Sequence, residues 1–326
     1  MKNRKAILVA AILSAVVISV TVNIVPFGSV VQAQGDGDKK KQPGVARPMT
    51  IPVGIKVRTK PQPEVQLLDL NVSEDGEPQS ILSIRAVSTN SPITLAVLIQ
   101  DDLVSSASNE IKPLGEFIRH LPAGSRVMVA YVKSGALQVR QKFTPDLEKA
   151  ARALRVPLGA ASAAPFNPYV EVVEAINRFE SQPTGRRSLL LISDGLDVSR
   201  GIDSSSPSQS IDLQRAINQA QRRSVAVYSF YEPSVALSQS NNQLLLVGNA
   251  QSSLERLSDE TGGKAYFQGT NAPVSFDPFL QDLDVTLGKQ LAVTFLSTHP
   301  AKGFHKLQIR SLNPGLVLSY PRGYMR

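Results

Sequence analysis

The sequence predicts an α/β protein built on a mostly parallel sheet, and three features of the pattern support this. Continuous apolar runs at 93–99, 126–132 and 188–193 are typical of strands that are buried on both faces. Segments with helical spacing of apolar residues, such as 109–121 and 170–179, separate the strands. Strands and helices that alternate in this order favour a parallel sheet covered by helices on both faces.

The composition is that of a globular protein, with 326 residues of which 42% are apolar and 19% are charged. The absence of Cys excludes disulfide bonds, thiolate metal sites, a cysteine nucleophile and a lipoprotein anchor on an N-terminal Cys. The formal net charge of +8 falls to +3 for residues 51–326, because the remaining excess of basic residues lies before residue 51. These charges are scattered, which excludes the clustered basic surface of a nucleic-acid-binding protein.

The first 33 residues predict an export signal, since a basic start precedes a long apolar run. Val31 and Ala33 then occupy the −3 and −1 positions of a cleavage site. We expect residues 1–33 to be a cleaved signal peptide and the protein to be periplasmic or extracellular. The alternative is an uncleaved anchor in the inner membrane, because the apolar run is just long enough to span a bilayer. That anchor would be the only contact with a membrane.

The rest of the chain divides into four predicted parts. Residues 34–50 have the composition of a flexible, solvated linker. A β segment at 51–91 precedes an α/β domain at 92–285, and a second β segment at 286–326 follows it. Neither β segment holds enough strands to be stable alone. We therefore predict that the two segments form one small β-domain into which the α/β domain is inserted.

Acidic residues follow two of the predicted strands. Asp101 and Asp102 come directly after the first buried strand, and Asp194 follows the central one. Open α/β sheets bind ligands at the carboxyl ends of their strands, an edge that we call the top face. The same aspartates could instead cap helices or form turns, as Asp often does.

These motifs, in their order along the chain, resemble a von Willebrand factor type A (VWA) domain. The resemblance rests on the aspartate after the first strand, on Ser-Asp-Gly at 193–195 and on the segment 260–267. More narrowly, the chain resembles the exported VWA-related proteins of Acidobacteria, with their Glu-Asp-Gly-x-Pro-Gln turn at 74–79 and their Pro-Gly-Leu to Gly-Tyr ending at 314–324. The resemblance covers residues 51–326 and implies a Rossmann-type, doubly wound sheet.

The resemblance also implies a metal-ion-dependent adhesion site, formed by Asp-x-Ser-x-Ser, a Thr and a second Asp. Asp101, Ser105 and Asp194 match three of its positions. Leu103 stands at the first Ser position, and the segment 164–169 contains no Thr. Because apolar side chains cannot replace the oxygen ligands of Mg²⁺, we expect a degenerate, remnant site and no cofactor. Binding of Mg²⁺ at this site is the alternative.

We predict a non-catalytic adhesion-type protein that recognises a protein partner, of unknown identity, through the top face. Loops at 157–169 and 199–211 flank this face, and Phe166, Asn167 and Tyr169 are the expected contact residues. Exposed aromatic side chains make effective anchors in interfaces. Packing of the loop on the helix that follows is the alternative role for these three residues.

The sequence offers no recognisable catalytic motif. It contains no Gly-x-Ser-x-Gly, His-Glu-x-x-His, Walker or dinucleotide-binding sequence. His120, His299 and His305 lie away from the predicted strand ends, so a Ser-His-Asp arrangement has no evident base. Two alternatives stay open: a functional Mg²⁺-dependent adhesion module and a hydrolase with an unrecognised site.

Overall fold

The computed structural model describes residues 46–57, 70–183, 185–240 and 243–326. The predicted signal peptide and most of the predicted linker lie outside these residues. The described residues belong to one compact unit, Pro43–Arg326. In this described part of the chain, none of the helices combines the length and the apolar character that crossing a bilayer would require.

Strands and helices alternate through the middle of the chain, and strands alone form its two flanks. The strands in the described residues are β1 (Arg47–Val57), β2 (Leu70–Glu74), β3 (Glu77–Ala86), β4 (Thr94–Gln100), β5 (Arg126–Lys133), β6 (Ala136–Thr144), β7 (Arg187–Ser193), β8 (Val225–Tyr231), β9 (Ala265–Tyr266), β10 (Gln290–Ser297), β11 (Phe304–Ser311), β12 (Leu316–Ser319) and β13 (Gly323–Met325). The α-helices are α1 (Ile111–Arg119), α2 (Leu147–Arg152), α3 (Tyr169–Asn177), α4 (Ile211–Arg223), α5 (Val235–Ser238), α6 (Gln243–Thr261) and α7 (Asp277–Gly288).

Six of the strands form a sheet in the order β6-β5-β4-β7-β8-β9. All neighbouring pairs are parallel except the hairpin of β5 and β6, which is antiparallel. Counted along the chain, this order is 3-2-1-4-5-6, so the direction of winding reverses between β4 and β7. The predicted α/β architecture with a largely parallel sheet is confirmed. The reversal point is where sheets of this kind form ligand crevices.

Every residue of the central strand β4 is buried. Leu95, Val97 and Ile99 pack on one face with apolar residues of α1, α2 and α7. Ala96 and Leu98 pack on the other face with residues of α3, α4 and α6. Successive side chains of a strand point to opposite faces, and helices cover both faces here. This explains why the strand reads as a continuous apolar run.

The other seven strands form an antiparallel sheet in the order β12-β1-β10-β3-β2-β11-β13. The flanks of the chain pair with each other in it, with Ile51 of β1 beside Val293 of β10 and Val72 of β2 beside Ile309 of β11. These side chains share an apolar cluster on one face. Both sheets lie in the same compact unit, so the division into an inserted α/β domain and a small β-domain stays a prediction.

A buried polar network joins the Glu-Asp-Gly turn to the end of the chain. The Glu74 carboxylate is fully buried, and its Oε1 accepts hydrogen bonds from the Ser297 hydroxyl at 3.0 Å and from the Tyr324 hydroxyl. Its Oε2 lies 3.3 Å from Nδ1 of His299. An unpaired buried carboxylate would be costly, so the two hydrogen bonds to Oε1 explain why Glu and Tyr occupy the two motifs. Oε2 of Glu74 and Nδ1 of His299 make no hydrogen bond within the described residues.

The neighbouring Asp75 holds a second histidine in the same sheet. Nδ1 of His305 lies 2.8 Å from Oδ2 of Asp75, and Nε2 lies 2.8 Å from the carbonyl oxygen of Ala301. Both partners are hydrogen-bond acceptors, so the arrangement favours the protonated ring, which can donate from both nitrogens. Burial opposes this charge, but the bonds to Ala301 and Asp75 outweigh it and raise the pKa of His305. The position of His305 in the sheet therefore stabilises its protonated form.

Candidate functional site

A cavity of about 300 Å³ opens at the top face, at the reversal point between β4 and β7. Gln100 ends β4, and Asp102 and Asp194 follow β4 and β7, respectively. All three side chains are buried and line the cavity. Asp102 is 1% exposed and Asp194 is 4% exposed, so the two carboxyl groups form its floor.

The side-chain amide of Gln100 connects the two aspartates. Its Nε2 donates to Oδ1 of Asp102 at 2.8 Å, and its Oε1 accepts from the backbone N–H of Asp194 at 3.3 Å. The Ser193 hydroxyl also donates to this Oε1. A backbone N–H can only donate, which fixes the orientation of the amide. One oxygen of Asp102 is therefore occupied by an amide proton.

Both carboxyl groups on the cavity floor have a raised pKa. For Asp102 burial is the main cause and the nearby charge of Asp194 adds to it, and together they raise the pKa to about 6. Burial also raises the pKa of Asp194, although its Oδ1 accepts the N–H of Leu196 at 3.0 Å. Among the described residues that line the cavity there is no Lys, Arg or His. The pair therefore has no cation of its own in the cavity wall.

Asp101 points away from the cavity and is paired with Arg155. The guanidinium donates from Nη1 to Oδ1 at 2.6 Å and from Nη2 to Oδ2 at 2.8 Å, a bidentate ion pair. Oδ1 also accepts the N–H of Leu158 at 3.0 Å. Arg155 in turn lies 4.0 Å above the ring of Tyr131, whose hydroxyl donates to the Arg155 carbonyl oxygen at 2.6 Å. The carboxylate of Asp101 is thus neutralised inside the protein.

Ser105, the third residue matched to the metal motif, is exposed in a 3-10 turn at 105–110. Leu103 is fully buried, and its backbone forms an isolated bridge with Ser234. Of Asp101, Ser105 and Asp194, only Asp194 lines the cavity. This arrangement does not fit the octahedral oxygen shell of Mg²⁺. Within the described ranges, no group of three or more Asp, Glu, His or Cys side chains could hold a metal ion.

The loop before α3 differs from what the sequence analysis assumed, because only one of its three singled-out residues is exposed. Phe166 is 69% exposed and has a φ of 56°. Tyr169 is fully buried, and its hydroxyl donates to the carbonyl oxygen of Gly195 at 2.6 Å. Asn167 is buried too, and it donates to Oδ2 of Asp212 at 2.8 Å and accepts the N–H of Tyr169 at 2.9 Å. Asn167 and Tyr169 therefore hold the loop in place.

The cavity walls come from apolar residues that the sequence analysis did not single out. They include Leu196, Ile202 and Leu246. Ile202 is the large apolar residue in a loop of mostly Ser, Asp, Gly and Pro at 199–210, and it is 43% exposed. A lone branched aliphatic residue in such a polar loop was the available signal. Phe166 and Ile202 are exposed and line the cavity, so they mark its mouth.

The raised pKa of Asp102 predicts that Asp102→Asn stabilises the protein above pH 7. The folded state binds the proton more tightly than the unfolded state, in which the Asp carboxyl has its ordinary pKa of about 3.8. The free energy of unfolding therefore falls as the pH rises from about 4 to 6. Asn removes the buried charge and keeps the shape, so we expect a gain of roughly 1–3 kcal/mol at pH 8 and little change at pH 4.

Urea unfolding at the two pH values measures this difference. Asp203→Asn removes one carboxylate from an exposed position and serves as the control, which should stay within about 0.5 kcal/mol of the parent protein at both pH values. Equal changes in the free energy of unfolding for Asp102→Asn and Asp203→Asn at pH 8 would contradict the conclusion that burial raises the pKa of Asp102.

No family model matches the chain, and no curated protein matches it. Among solved structures, an aerotolerance-related membrane protein from Bacteroides fragilis is 9% identical, and the match covers 60% of this chain and 98% of that chain with a TM-score of 0.39. The SpRpn10 VWA domain is 13% identical over 59% and 94% of the two chains, with a TM-score of 0.35. Manganese-loaded TRAP from Plasmodium vivax is 12% identical over 73% and 96%, with a TM-score of 0.38. The TM-scores are below 0.5, so the fold is assigned from the strand order and packing of this chain itself.

Proposed function

We propose that this chain is an exported, non-catalytic VWA-like protein that binds a protein partner through its top face. The observation that carries the proposal is the exposed apolar rim of the cavity, made by Phe166 and Ile202. Exposed apolar side chains gathered around a cavity are typical of interaction sites. An aromatic side chain such as Phe166 can supply the buried anchor on which most of the binding energy of an interface depends.

The loops that carry this rim are held by hydrogen bonds, which supports a preformed binding surface. The N–H of Val198 donates to the carbonyl oxygen of Phe166 at 2.8 Å and joins the two loops. The N–H of Gly159 donates to the Asp101 carbonyl oxygen at 3.0 Å, and the Ser134 hydroxyl donates to the Ser162 carbonyl oxygen at 2.8 Å. A surface that is ordered before binding loses less entropy when a partner arrives.

The ion pair of Asp101 and Arg155 supports recognition without a metal ion. The resemblance assigns Asp101 to the metal, but both of its oxygens accept guanidinium protons. A divalent cation would have to displace this bidentate pair. We therefore propose that the adhesion site is degenerate and that a guanidinium has taken over the neutralisation of its first aspartate.

The serine hydroxyls near the cavity floor support a non-catalytic role. Ser234 caps α5 by accepting the N–H of Leu237 at 3.2 Å. The Ser193 hydroxyl donates to Gln100 and accepts the N–H of Gly195 at 2.9 Å. Each hydroxyl already has a structural hydrogen bond, and a serine nucleophile would need a base beside it. No His lines the cavity among the described residues.

Export is proposed from residues 1–33, which lie outside the described residues, and from the resemblance to exported VWA-related proteins of Acidobacteria. The basic, apolar and small-residue regions follow the order of a signal peptide. Sequencing of the N-terminus of the protein recovered from cells tests this point. A mature chain that begins at Gln34 supports cleavage, whereas a chain that retains residues 1–33 supports the anchor.

Affinity capture from the native cell envelope tests the top face. We expect the parent protein to retain a partner that Phe166→Ala releases, with at least a tenfold loss in affinity, as is usual for an anchor residue. Leu312→Ala is the control, because Leu312 is also exposed but lies after β11 of the antiparallel sheet. If the parent protein and both variants retain the partner equally, or if both variants lose it equally, the partner does not bind through the top face.

A thermal-shift titration separates this proposal from a metal-dependent adhesion module. A ligand that binds only the folded state raises the melting temperature by mass action. We expect millimolar Mg²⁺ or Mn²⁺ to leave the melting temperature of the parent protein unchanged. A rise that Asp194→Ala abolishes would instead identify a working metal site.

A further inference from the structure

We propose that the cavity below Phe166 binds the side chain of a lysine from the partner, with its ammonium group at Asp102 and Asp194. This inference rests on the proposed function, because it names the chemical group that the top face recognises. It starts from an unbalanced arrangement of charges. Two buried carboxyl groups line the cavity, and no basic side chain among the described residues lines it with them.

The two adjacent aspartates, Asp101 and Asp102, differ in the partners that their carboxyl oxygens have. Asp101 has two guanidinium protons and one backbone N–H on its oxygens. Asp102 has the amide of Gln100 on Oδ1 and a hydrogen bond from its own backbone N–H, and no basic side chain among the described residues lines the cavity with it. Asp102 is more than nine-tenths buried and faces the cavity. Buried carboxylates need a charged or hydrogen-bonding partner, and the cavity is the direction from which one can come.

The shape and lining of the cavity fit an alkyl chain that ends in a charge. Its volume of about 300 Å³ lies at the small end of ligand sites, which suits one side chain better than a cofactor. The mouth and walls are apolar, and the carboxyl groups lie on the floor. A lysine packs its methylene groups along apolar surface and places its charge at the end. The apolar mouth and walls would therefore contact the methylene groups of the lysine, and the carboxyl groups on the floor would contact its ammonium group.

The hydrogen bonds already present favour an ammonium over other cations. A guanidinium binds best to two parallel oxygens of one carboxylate, but Gln100 occupies Oδ1 of Asp102 and the Leu196 N–H occupies Oδ1 of Asp194. Mg²⁺ requires several free oxygens in an octahedron. An ammonium is a compact charge with three rotatable donors, and it can approach the two carboxyl groups beside the hydrogen bonds that they already accept from Gln100, Leu196 and Ser234.

Calorimetric titration with blocked amino acids tests the inference on the purified full chain. The three probes are Nα-acetyl-lysine methylamide and its norleucine and arginine analogues. The norleucine analogue keeps the methylene groups and lacks the charge. At pH 7.5 we expect the lysine probe to bind at least tenfold more tightly than either of the others. Asp102→Asn should weaken the lysine probe at least tenfold, and the exposed control Asp203→Asn should not change it.

A pH titration adds a second readout for the same group. Protonation of Asp102, whose pKa is about 6, removes the charge that attracts the ammonium. The affinity for the lysine probe should therefore fall between pH 7.5 and pH 5 in the parent protein. The fall should be smaller in Asp102→Asn, where Asp194 is the one carboxyl group of the pair that can still be protonated. Loss of folding does not confuse the result, because Asp102→Asn is expected to be the more stable protein at neutral pH.

Several outcomes would overturn the inference. Equal binding of the norleucine and lysine probes would show an apolar slot, and displacement of the lysine probe by millimolar Mg²⁺ would show a metal site. Absence of binding by every probe would also overturn it. The proposed function has its own outcome: a partner that Phe166→Ala releases but Asp102→Asn retains supports the top face and rejects the lysine. A lysine probe that binds when no partner is captured supports the cavity chemistry alone.

Discussion

Arg155→Met is expected to lower the free energy of unfolding by about 3–5 kcal/mol, because it leaves the Asp101 carboxylate buried without its counter-charge. Asp101 is 0% exposed, and both of its oxygens accept protons from the guanidinium. The substitution also removes the cation from above the Tyr131 ring. Met retains an unbranched side chain of similar length, so most of the loss reports the charge and its hydrogen bonds.

A double-mutant cycle separates the ion pair from the packing of the side chain. Asp101→Asn in the Arg155→Met background removes the stranded charge, so the double variant should recover most of the lost stability. Arg155→Lys keeps the charge but cannot form two parallel hydrogen bonds, and it should fall between the parent protein and Arg155→Met. Urea unfolding at pH 7 measures all of them.

The matched control is Arg152→Met, three residues earlier in the chain. Arg152 lies 3.6 Å from Glu148 in an exposed pair, and its side chain is 68% exposed. Surface pairs of this kind contribute about 0–1 kcal/mol. If Arg155→Met and Arg152→Met lower the free energy of unfolding by the same amount, then the ion pair of Arg155 with Asp101 does not form in solution. The support that this ion pair gives to a metal-free site would then be lost.

Much of the fold could be predicted from the sequence because helices cover both faces of the parallel strands. This double burial makes β4, β7 and β8 continuous apolar runs, which are hard to mistake for surface strands. The edge strand β6 alternates exposed and half-buried positions, as a strand at the edge of a sheet does. Where the burial is partial the pattern is weaker, as in β9, which comprises only Ala265 and Tyr266.

The candidate site could be predicted only to the level of its strand ends. Asp101 and Asp102 both follow β4, and the sequence does not show which of them turns toward the cavity. The alternation of side chains decides this, since Gln100 and Asp102 lie on one side and Asp101 on the other. The partner of Asp101 is Arg155, 54 residues along the chain. A contact at that separation depends on the tertiary fold and leaves no local pattern.

The residues around Phe166 show a second limit. Aromatic and amide side chains in a Pro-rich loop are ordinarily taken as exposed, but α3 begins at Tyr169 and its first residue already faces the core. Asn167 is drawn inward by Asp212 of α4. Phe166 has a positive φ, which changes the direction of the chain just before the helix. Backbone conformation, rather than residue type, therefore determines which aromatic side chain is available to a partner.

The two glycines of the segment 260–267 have a steric role, and Gly263 is the more constrained of them. A Cβ at this position would lie 1.9 Å from the carbonyl oxygen of Val227 and 2.5 Å from its carbonyl carbon. Val227 lies in the middle of β8 and pairs with Leu189 of β7. The backbone of a central strand cannot retreat without breaking the hydrogen bonds of its sheet. The Gly-Gly pair of this segment is thus required by close packing.

Gly263→Ala is accordingly expected to cost more than about 4 kcal/mol, a loss that is unusual for a single methyl group. The N–H of Gly263 donates to the Ser258 carbonyl oxygen at 2.9 Å, and the Ser319 hydroxyl donates to its carbonyl oxygen at 3.2 Å. The residue is therefore held from both sides and cannot move away from β8. Thermal and urea unfolding measure the loss, and circular dichroism shows whether any folded protein remains.

The same substitution at a different glycine, Gly248→Ala, is expected to stabilise the protein. Gly248 lies within α6, and a Cβ there would meet nothing within 4 Å. Ala is favoured over Gly in a helix by about 0.5–1 kcal/mol, so this variant should be more stable than the parent protein. A Gly263→Ala protein within about 1 kcal/mol of the parent would contradict the close approach of this segment to β8. The opposite signs of the two effects would show that the space around each glycine, and not the added methyl group, determines the outcome.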